Sequence, residues 1–213
     1  MVLAATPPDS MAQRLRACAA CHGKEGRATN SGYFPRIAGK PAGYVYNQLV
    51  NFREGRRQNG SMTYLLDQMS DAYLREIAEH FAALDLPYPP PQTTNASPTT
   101  LARGEHLVRY GDVKRAIPAC AGCHGAAMTG VAPAVPGLLG LPYDYLMGQI
   151  GAWRNGGRRA LAPDCMAEIS RRLAPEDIAA VATWLSSQPV TQHRAPAASL
   201  PSKPELECGS GFR

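Results

Sequence analysis

The sequence predicts an all-α protein in which one helical unit occurs twice. Two observations carry this prediction. The first is a tandem repeat: CAACHG at 18–23 returns as CAGCHG at 120–125, and FPRIAGKPAGYVYNQLVNFREGRR at 34–57 returns as VPGLLGLPYDYLMGQIGAWRNGGR at 135–158. The second is hydrophobic spacing of helical period in each copy, with no stretch of sustained strand-like alternation.

The repeat is exact enough to align residue by residue. Pro35 matches Pro136, Gly39 matches Gly140, Tyr44 matches Tyr145, Gln48 matches Gln149 and Phe52 matches Trp153, at a constant offset of 101. Further on, 69–84 matches 173–188 at an offset of 104, so the second copy carries three extra residues between Gly156 and Met166.

Three helices are expected per copy. In the first, 9–19 follows Asp9 as a candidate N-cap, 41–54 opens on Pro41 at the first helical position, and 70–84 follows Ser70, a good N-cap. The last of these is expected to bury Leu74, Ile77, Ala78 and Phe81 on one face. The second copy repeats the pattern at 99–110, 142–155 and 174–187, where Pro175, Glu176 and Asp177 suit a first turn. The expected organisation is a first domain over 1–86, a proline-rich linker over 87–98, a second domain over 99–188 and a tail over 189–213. Prolines at 87, 89, 90 and 91 forbid a continuous helix there and favour an extended connector.

Composition narrows the classes further. A hydrophobic fraction of 45% with 18% charged residues argues for a globular chain rather than a disordered one. No stretch approaches the ~20 apolar residues of a membrane span, which leaves peripheral membrane association at most. The net charge of +5 comes with arginine clusters, which suit an anionic membrane surface, an acidic protein partner or simply a solvated mixed surface, and the lack of a nucleic-acid-binding motif argues against nucleic acid.

The chemistry resides in Cys18-x-x-Cys21-His22 and Cys120-x-x-Cys123-His124. This motif reads as covalent haem attachment. Two cysteines three residues apart on a helical turn present both sulfurs to one side, where they form thioethers to the vinyl groups of one haem. The adjacent histidine is then carried beneath the ring to ligate the iron. A structural zinc site would space its cysteine pairs by ~15–20 residues rather than about a hundred, and a redox dithiol would want a βαβ context. Two haem c groups are therefore expected.

A closed haem needs a second axial ligand, and thioether sulfur suits electron transfer. Met62 and Met166 occupy equivalent places, each seven residues before the aligned segments that begin at 69 and 173, and repeat symmetry selects them. Met69 aligns with Leu173 and reads as core, Met128 lies too close to His124, and Met147 aligns with Tyr46 and so lacks a methionine partner in the other copy. A backbone carbonyl near Pro35 and Pro136 is expected to fix each histidine ring. Tyr44, Phe52, Tyr145 and Trp153 are expected to wall the crevices.

The order P-x-I/L-x-G, Tyr, Gln, Phe/Trp, Gly, Arg and then Met before a third helix resembles the dihaem cytochrome c4 family over most of residues 10–188. The resemblance implies two class I cytochrome c domains related by a pseudo-twofold axis, with axial pairs His22/Met62 and His124/Met166. It implies that Gln48, Arg57, Gln149 and Arg158 lie near the propionates. It also implies an electron carrier serving a dehydrogenase, a quinol-oxidising complex, a terminal oxidase or another acceptor. Covalent haem attachment further implies the periplasm. Residues 1–10 lack a basic n-region and a full apolar core, so the expectation is that a signal has been removed.

Cys165 and Cys208 lie outside the haem motifs and are expected to pair in an oxidising compartment, tying the tail over the second methionine. Two alternatives stay open at this point. The chain is an electron-transfer subunit of a dehydrogenase complex, or a haem enzyme of thiosulfate-oxidising or peroxidase type that uses Cys165.

Overall fold

The computed structural model describes residues 9–29, 32–190 and 195–211. Ten α-helices are described in these residues: α1 Met11–Arg14, α2 Arg16–His22, α3 Ala42–Arg53, α4 Gly60–Leu66, α5 Asp71–Ala82, α6 Pro98–Tyr110, α7 Cys120–His124, α8 Tyr143–Arg154, α9 Cys165–Arg172 and α10 Pro175–Ser187. A small antiparallel ribbon joins β1 Gly130–Val131 to β2 Val135–Pro136, and the remainder of the all-α expectation holds.

The apolar faces collect into two separate cores. Leu74, Ile77, Ala78 and Phe81 of α5 pack with Val45, Leu49 and Phe52 of α3, as the spacing predicts. Full burial of each large side chain contributes roughly 1.5–3 kcal/mol. In the second copy Leu107 and Val108 of α6 meet Val181 and Leu185 of α10. These two helices cross closely: a Cβ on Gly104 would lie 2.2 Å from the Ala180 carbonyl oxygen.

Several local expectations change. The 9–19 helix breaks at Leu15, whose φ/ψ of −88/9 separates α1 from α2, and the helical run extends to His22. Pro41 and Pro142 stand as N-caps with extended ψ rather than at the first helical position. Two short helices, α4 and α9, were not anticipated. Asn59 caps α4 by accepting from Met62 N–H, and Asp164 caps α9 by accepting from Ala167 N–H. Each methionine thus sits in the first turn of a capped helix, not in a loop. Ser70 caps α5 as expected, accepting from Tyr73 N–H.

The segment between the cores is extended and held by side chains. Arg36, 2% exposed, donates to the carbonyls of Ala38, Leu86 and Pro87, and its guanidinium lies 4.4 Å from the Tyr88 ring centroid.

Asp177 anchors the second core. It is fully buried, accepts from Arg103 Nε at 2.8 Å and Arg115 Nη1 at 2.5 Å, and receives Ala174 N–H at 2.9 Å. Burial alone would raise its pKa, but hydrogen bonds from Arg115, Ala174 and Arg103 outweigh it and hold the carboxyl below its usual range. Asp177→Ala is expected to cost about 1–3 kcal/mol, because it removes a buried acceptor from Ala174 N–H and from two arginines that are themselves more than a third exposed. Because the folded pKa is depressed, this stability is present above the unfolded value of about 3.9 and is lost as pH falls through the folded value. Denaturant unfolding at neutral and acid pH measures both effects, and an alanine variant as stable as the parent would refute the assignment.

Candidate functional site

The haem motifs sit on short helices that end in glycine. α2 terminates at Gly23 (φ 75°), where a Cβ would lie 2.2 Å from the Ala28 carbonyl oxygen, so only glycine lets the chain turn directly after His22. The crowding comes from backbone atoms. α7 ends the same way at Gly125 (φ 81°).

The histidines are held identically. His22 Nδ1 lies 2.9 Å from the Pro35 carbonyl oxygen, and His124 Nδ1 lies 2.8 Å from that of Pro136. A carbonyl only accepts, so Nδ1 carries the proton and Nε2 keeps its lone pair. Both rings are buried. Burial lowers the pKa of each, with smaller lowering from Arg57 at His22 and from Lys40 at His124. The result in both halves is a neutral, oriented imidazole.

One continuous cavity of about 410 Å³ passes through both halves. Cys18, Cys21, His22 and Met62 line it on one side, and Cys120, Cys123, His124 and Met166 on the other. None of the four motif cysteines takes part in a disulfide. Tyr44, Phe52, Tyr145 and Trp153 also line the cavity. Met69, like Met62, packs against the first core and lines the cavity, whereas Met128 is buried in the second core.

Between the halves lies a symmetric polar cluster. Arg57 donates to Gln48 Oε1 (3.0 Å), Tyr145 OH (2.9 Å) and Gln149 Oε1 (2.6 Å). Arg158 donates to Gln149 Oε1 (2.8 Å), Gln48 Oε1 (2.8 Å) and Tyr44 OH (3.3 Å). The two arginines pair as an antiparallel bridge, flanked by Arg159 N–H to Arg56 O at 2.7 Å and Gln58 N–H to Gly157 O at 3.2 Å. Each guanidinium covers an aromatic ring of its own half, Arg57 over Phe52 at 4.4 Å and Arg158 over Trp153 at 3.7 Å. Sequence reasoning named these six polar residues but not that each arginine crosses to the other half.

This cluster provides a test of fit for haem. Arg57 and Arg158 are 8% and 3% exposed, and none of the ion pairs found among the described residues includes either of them. Burial, and then the like charge of Arg57, lowers the pKa of Arg158. Burial would raise Tyr145, but the charges of Arg57 and Arg158 bring it down. The indole N–H of Trp153 is buried without a hydrogen-bond partner. Two buried cations and an unpaired donor at the edge of an apolar cavity call for anionic oxygens. Haem propionates supply them, so the residues present fit the group.

Lys40 was not anticipated. It is 3% exposed, reaches across to donate to the Gly137 carbonyl at 2.8 Å, and is lowered to about 7 by burial and then by Arg36. The repeat offered one signal: its aligned partner is Leu141, so a lysine stands where the second copy has a core residue.

Cys165 and Cys208 form a disulfide with Cα atoms 5.2 Å apart, as expected of the leftover pair. No helix among the described residues is long and apolar enough to cross a membrane.

Paired C-x-x-C-H helices, oriented histidines and a dyad of buried cations across one cavity define a dihaem c-type cytochrome. Comparison with known proteins agrees. The family model described as cytochrome c matches residues 112–189. The thiosulfate dehydrogenase electron acceptor of Thiomonas intermedia is 34% identical over 196 residues, covering 92% of this chain and 87% of that protein. Cytochrome c4 of Pseudomonas aeruginosa is 33% identical over 187 residues, covering 86% and 90%. Reduced recombinant cytochrome c4 from Pseudomonas stutzeri superposes with a TM-score of 0.70 at 28% identity, covering 83% of this chain and 95% of that one. The thiosulfate dehydrogenase TsdBA of Marichromatium purpuratum gives 0.73 at 28% identity, covering 81% of this chain but only 36% of that larger one. The chain belongs to the dihaem cytochrome c4 family and is an electron carrier with two covalently bound haem c groups.

Proposed function

We propose that Cys18 and Cys21 hold one haem with His22 and Met62 as axial ligands, and that Cys120 and Cys123 hold the other with His124 and Met166. The observation that carries this is the placement of each oriented histidine and its methionine on one shared cavity, twice over. Bound there, each haem supplies an iron that gains or loses one electron. The protein does the rest. Pro35 and Pro136 fix the imidazoles, the apolar walls exclude water, and thioether ligation favours the reduced state. Arg57, Arg158, Gln48, Gln149, Tyr44 and Tyr145 bind the propionates at the dyad, with Trp153 donating on the second side. In this reading 1–86 and 99–188 each form one haem unit, 87–98 joins them and 189–213 is the tail.

A saturated iron leaves no position for substrate, so the protein is a carrier and not an enzyme. Cys165 is committed to a disulfide and presents no thiolate, which argues against the thiosulfate-oxidising and peroxidase-like reading. The carrier works in the periplasm between a respiratory donor and a terminal oxidase or other acceptor. A more specific reading is the electron-accepting partner of a thiosulfate dehydrogenase, favoured by the relative so named at 34% identity.

The test is a set of absorption spectra of oxidised and reduced holoprotein, with a pyridine haemochrome count and carbon monoxide addition. Two c-type haems, a methionine–iron charge-transfer band and no carbon monoxide response are expected. A thiolate-type spectrum or carbon monoxide binding at one haem would overturn the ligand set.

A further inference from the structure

The two crevice mouths face solvent differently. In the second half the chain's own tail covers the mouth. Ala197 N–H donates to Gly130 O at 2.9 Å, Ala132 N–H to Ala197 O at 2.8 Å, and Thr129 Oγ1 to Ala195 O at 3.0 Å. The Cys165–Cys208 bond ties the tail to the residue beside Met166, and Gly209 N–H donates to Pro163 O at 2.9 Å. Asn47 of the first half then donates to Ser210 O at 3.0 Å. Leu206, Cys208, Ser210 and Gly211 line the cavity together with Cys123 and Met166.

The corresponding face of the first half carries no such cover among the described residues. Tyr33 is 65% exposed, whereas its repeat partner Ala134 is 4% exposed. Tyr64 and Leu65, at 85% and 39%, align with Glu168 and Ile169, which are both half-buried. Tyr33 and Leu65 border the same cavity as His22. Charge differs too. Arg14 (paired with Asp9), Arg16 and Lys24 are exposed around the first haem motif, where the second copy, at an offset of 102, has Ala116, Pro118 and Ala126, preceded by Lys114 and by an Arg115 held by Asp112 and Asp177.

We propose that the first crevice mouth, with its apolar rim of Tyr33, Tyr64 and Leu65 beside Arg14, Arg16 and Lys24, is the surface on which an acidic redox protein docks, and that the tail keeps such a partner off the second mouth. The proposal rests on the dihaem reading above. Two features select the occupant. Cationic side chains beside an apolar rim complement a partner whose own redox edge is apolar and ringed by carboxylates. The tail illustrates the apolar half of such an occupant: at the second mouth its Leu206 lines the cavity. Electrons then enter and leave through the first haem, and the second stores one behind it.

The test uses the holoprotein, ¹⁵N-labelled and reduced, titrated with flavodoxin as an acidic carrier. Amide shifts are expected around Ala17, Lys24 and Tyr64, not around Cys123 or Met166, and the affinity is expected to fall with added salt. Arg16→Glu/Lys24→Glu is expected to weaken binding by about tenfold or more, since like charges then meet. Cys208→Ser is expected to release the tail and add a second set of shifts near Cys123. Wild-type shifts centred on the second half, or undiminished affinity in the charge-reversed variant, overturn the docking surface. No new shifts in Cys208→Ser overturn the role of the tail. The haem count of the same samples separates the two levels. Fewer than two haems overturns the dihaem reading and this surface with it, whereas two haems with docking elsewhere overturns this surface alone.

Discussion

Met62→Ala is expected to abolish half of the methionine–iron charge-transfer intensity and to make one haem of the two bind carbon monoxide. Met166→Ala is expected to do the same at the other haem, and the double variant to remove the band altogether. The expectation follows from where these side chains stand. Each lies in the first turn of a short helix whose N-cap, Asn59 or Asp164, fixes the position of the chain at that turn. Each borders the cavity that the opposing histidine enters. Alanine removes the only soft donor at that position, so an exogenous ligand takes the open site. The reduction potential of the affected haem should fall, because thioether ligation favours ferrous iron. Met69→Ala is the control. Met69 packs against the first core, so its loss should cost stability, about 2–5 kcal/mol if the site cannot collapse, and leave the band intact. A band retained in Met62→Ala but lost in Met69→Ala would exchange the two assignments.

The tandem repeat is what makes the methionine pair legible in the sequence. A single methionine carries almost no information, since methionine fills cores readily. Two methionines at matched positions of a duplicated unit carry much more. Helices α3, α5, α6, α8 and α10 were legible because each is 12 or 13 residues long and carries apolar residues at helical spacing. α4 and α9 were not, since at seven and eight residues they are too short for periodicity to declare itself. Their sequence signals were the caps Asn59 and Asp164, which read equally well as turn residues. The break at Leu15 and the ribbon of β1 and β2 left no local signature. The arginines at the dyad were named, but their reach into the opposite half depends on how the halves pack, and no pattern within one half contains it. Lys40 was hidden for a related reason. Its partner, the Gly137 carbonyl, lies 97 residues away, so burial of its amine is decided by tertiary structure alone.

The dyad gives the second large expectation. Arg57→Ala is expected to destabilise the holoprotein by about 2–4 kcal/mol and to lower the potentials of both haems. Tyr145 OH loses its arginine donor, while Gln48 and Gln149 each lose one of two and keep Arg158; Tyr145 and Gln149 lie in the opposite half. An unsatisfied buried acceptor costs about 1–3 kcal/mol, but relief of the repulsion from Arg158 offsets part of the sum. That repulsion is real, since the charge of Arg57 already lowers the pKa of Arg158. The change in potential has a definite sign. Removing a fixed positive charge near the irons favours the oxidised, more positive form. Arg57→Lys separates the two effects: a lysine keeps the charge but loses the planar fork that serves three acceptors. It should therefore restore most of the potential while leaving most of the stability loss. Redox titration and chemical unfolding of the parent and both variants make the comparison. The contribution of Arg57 to the haems is then electrostatic, and its contribution to the joint between halves is geometric. Potentials that fall as far in the lysine variant as in the alanine variant would instead mean that loosening of the dyad, not loss of charge, controls the irons.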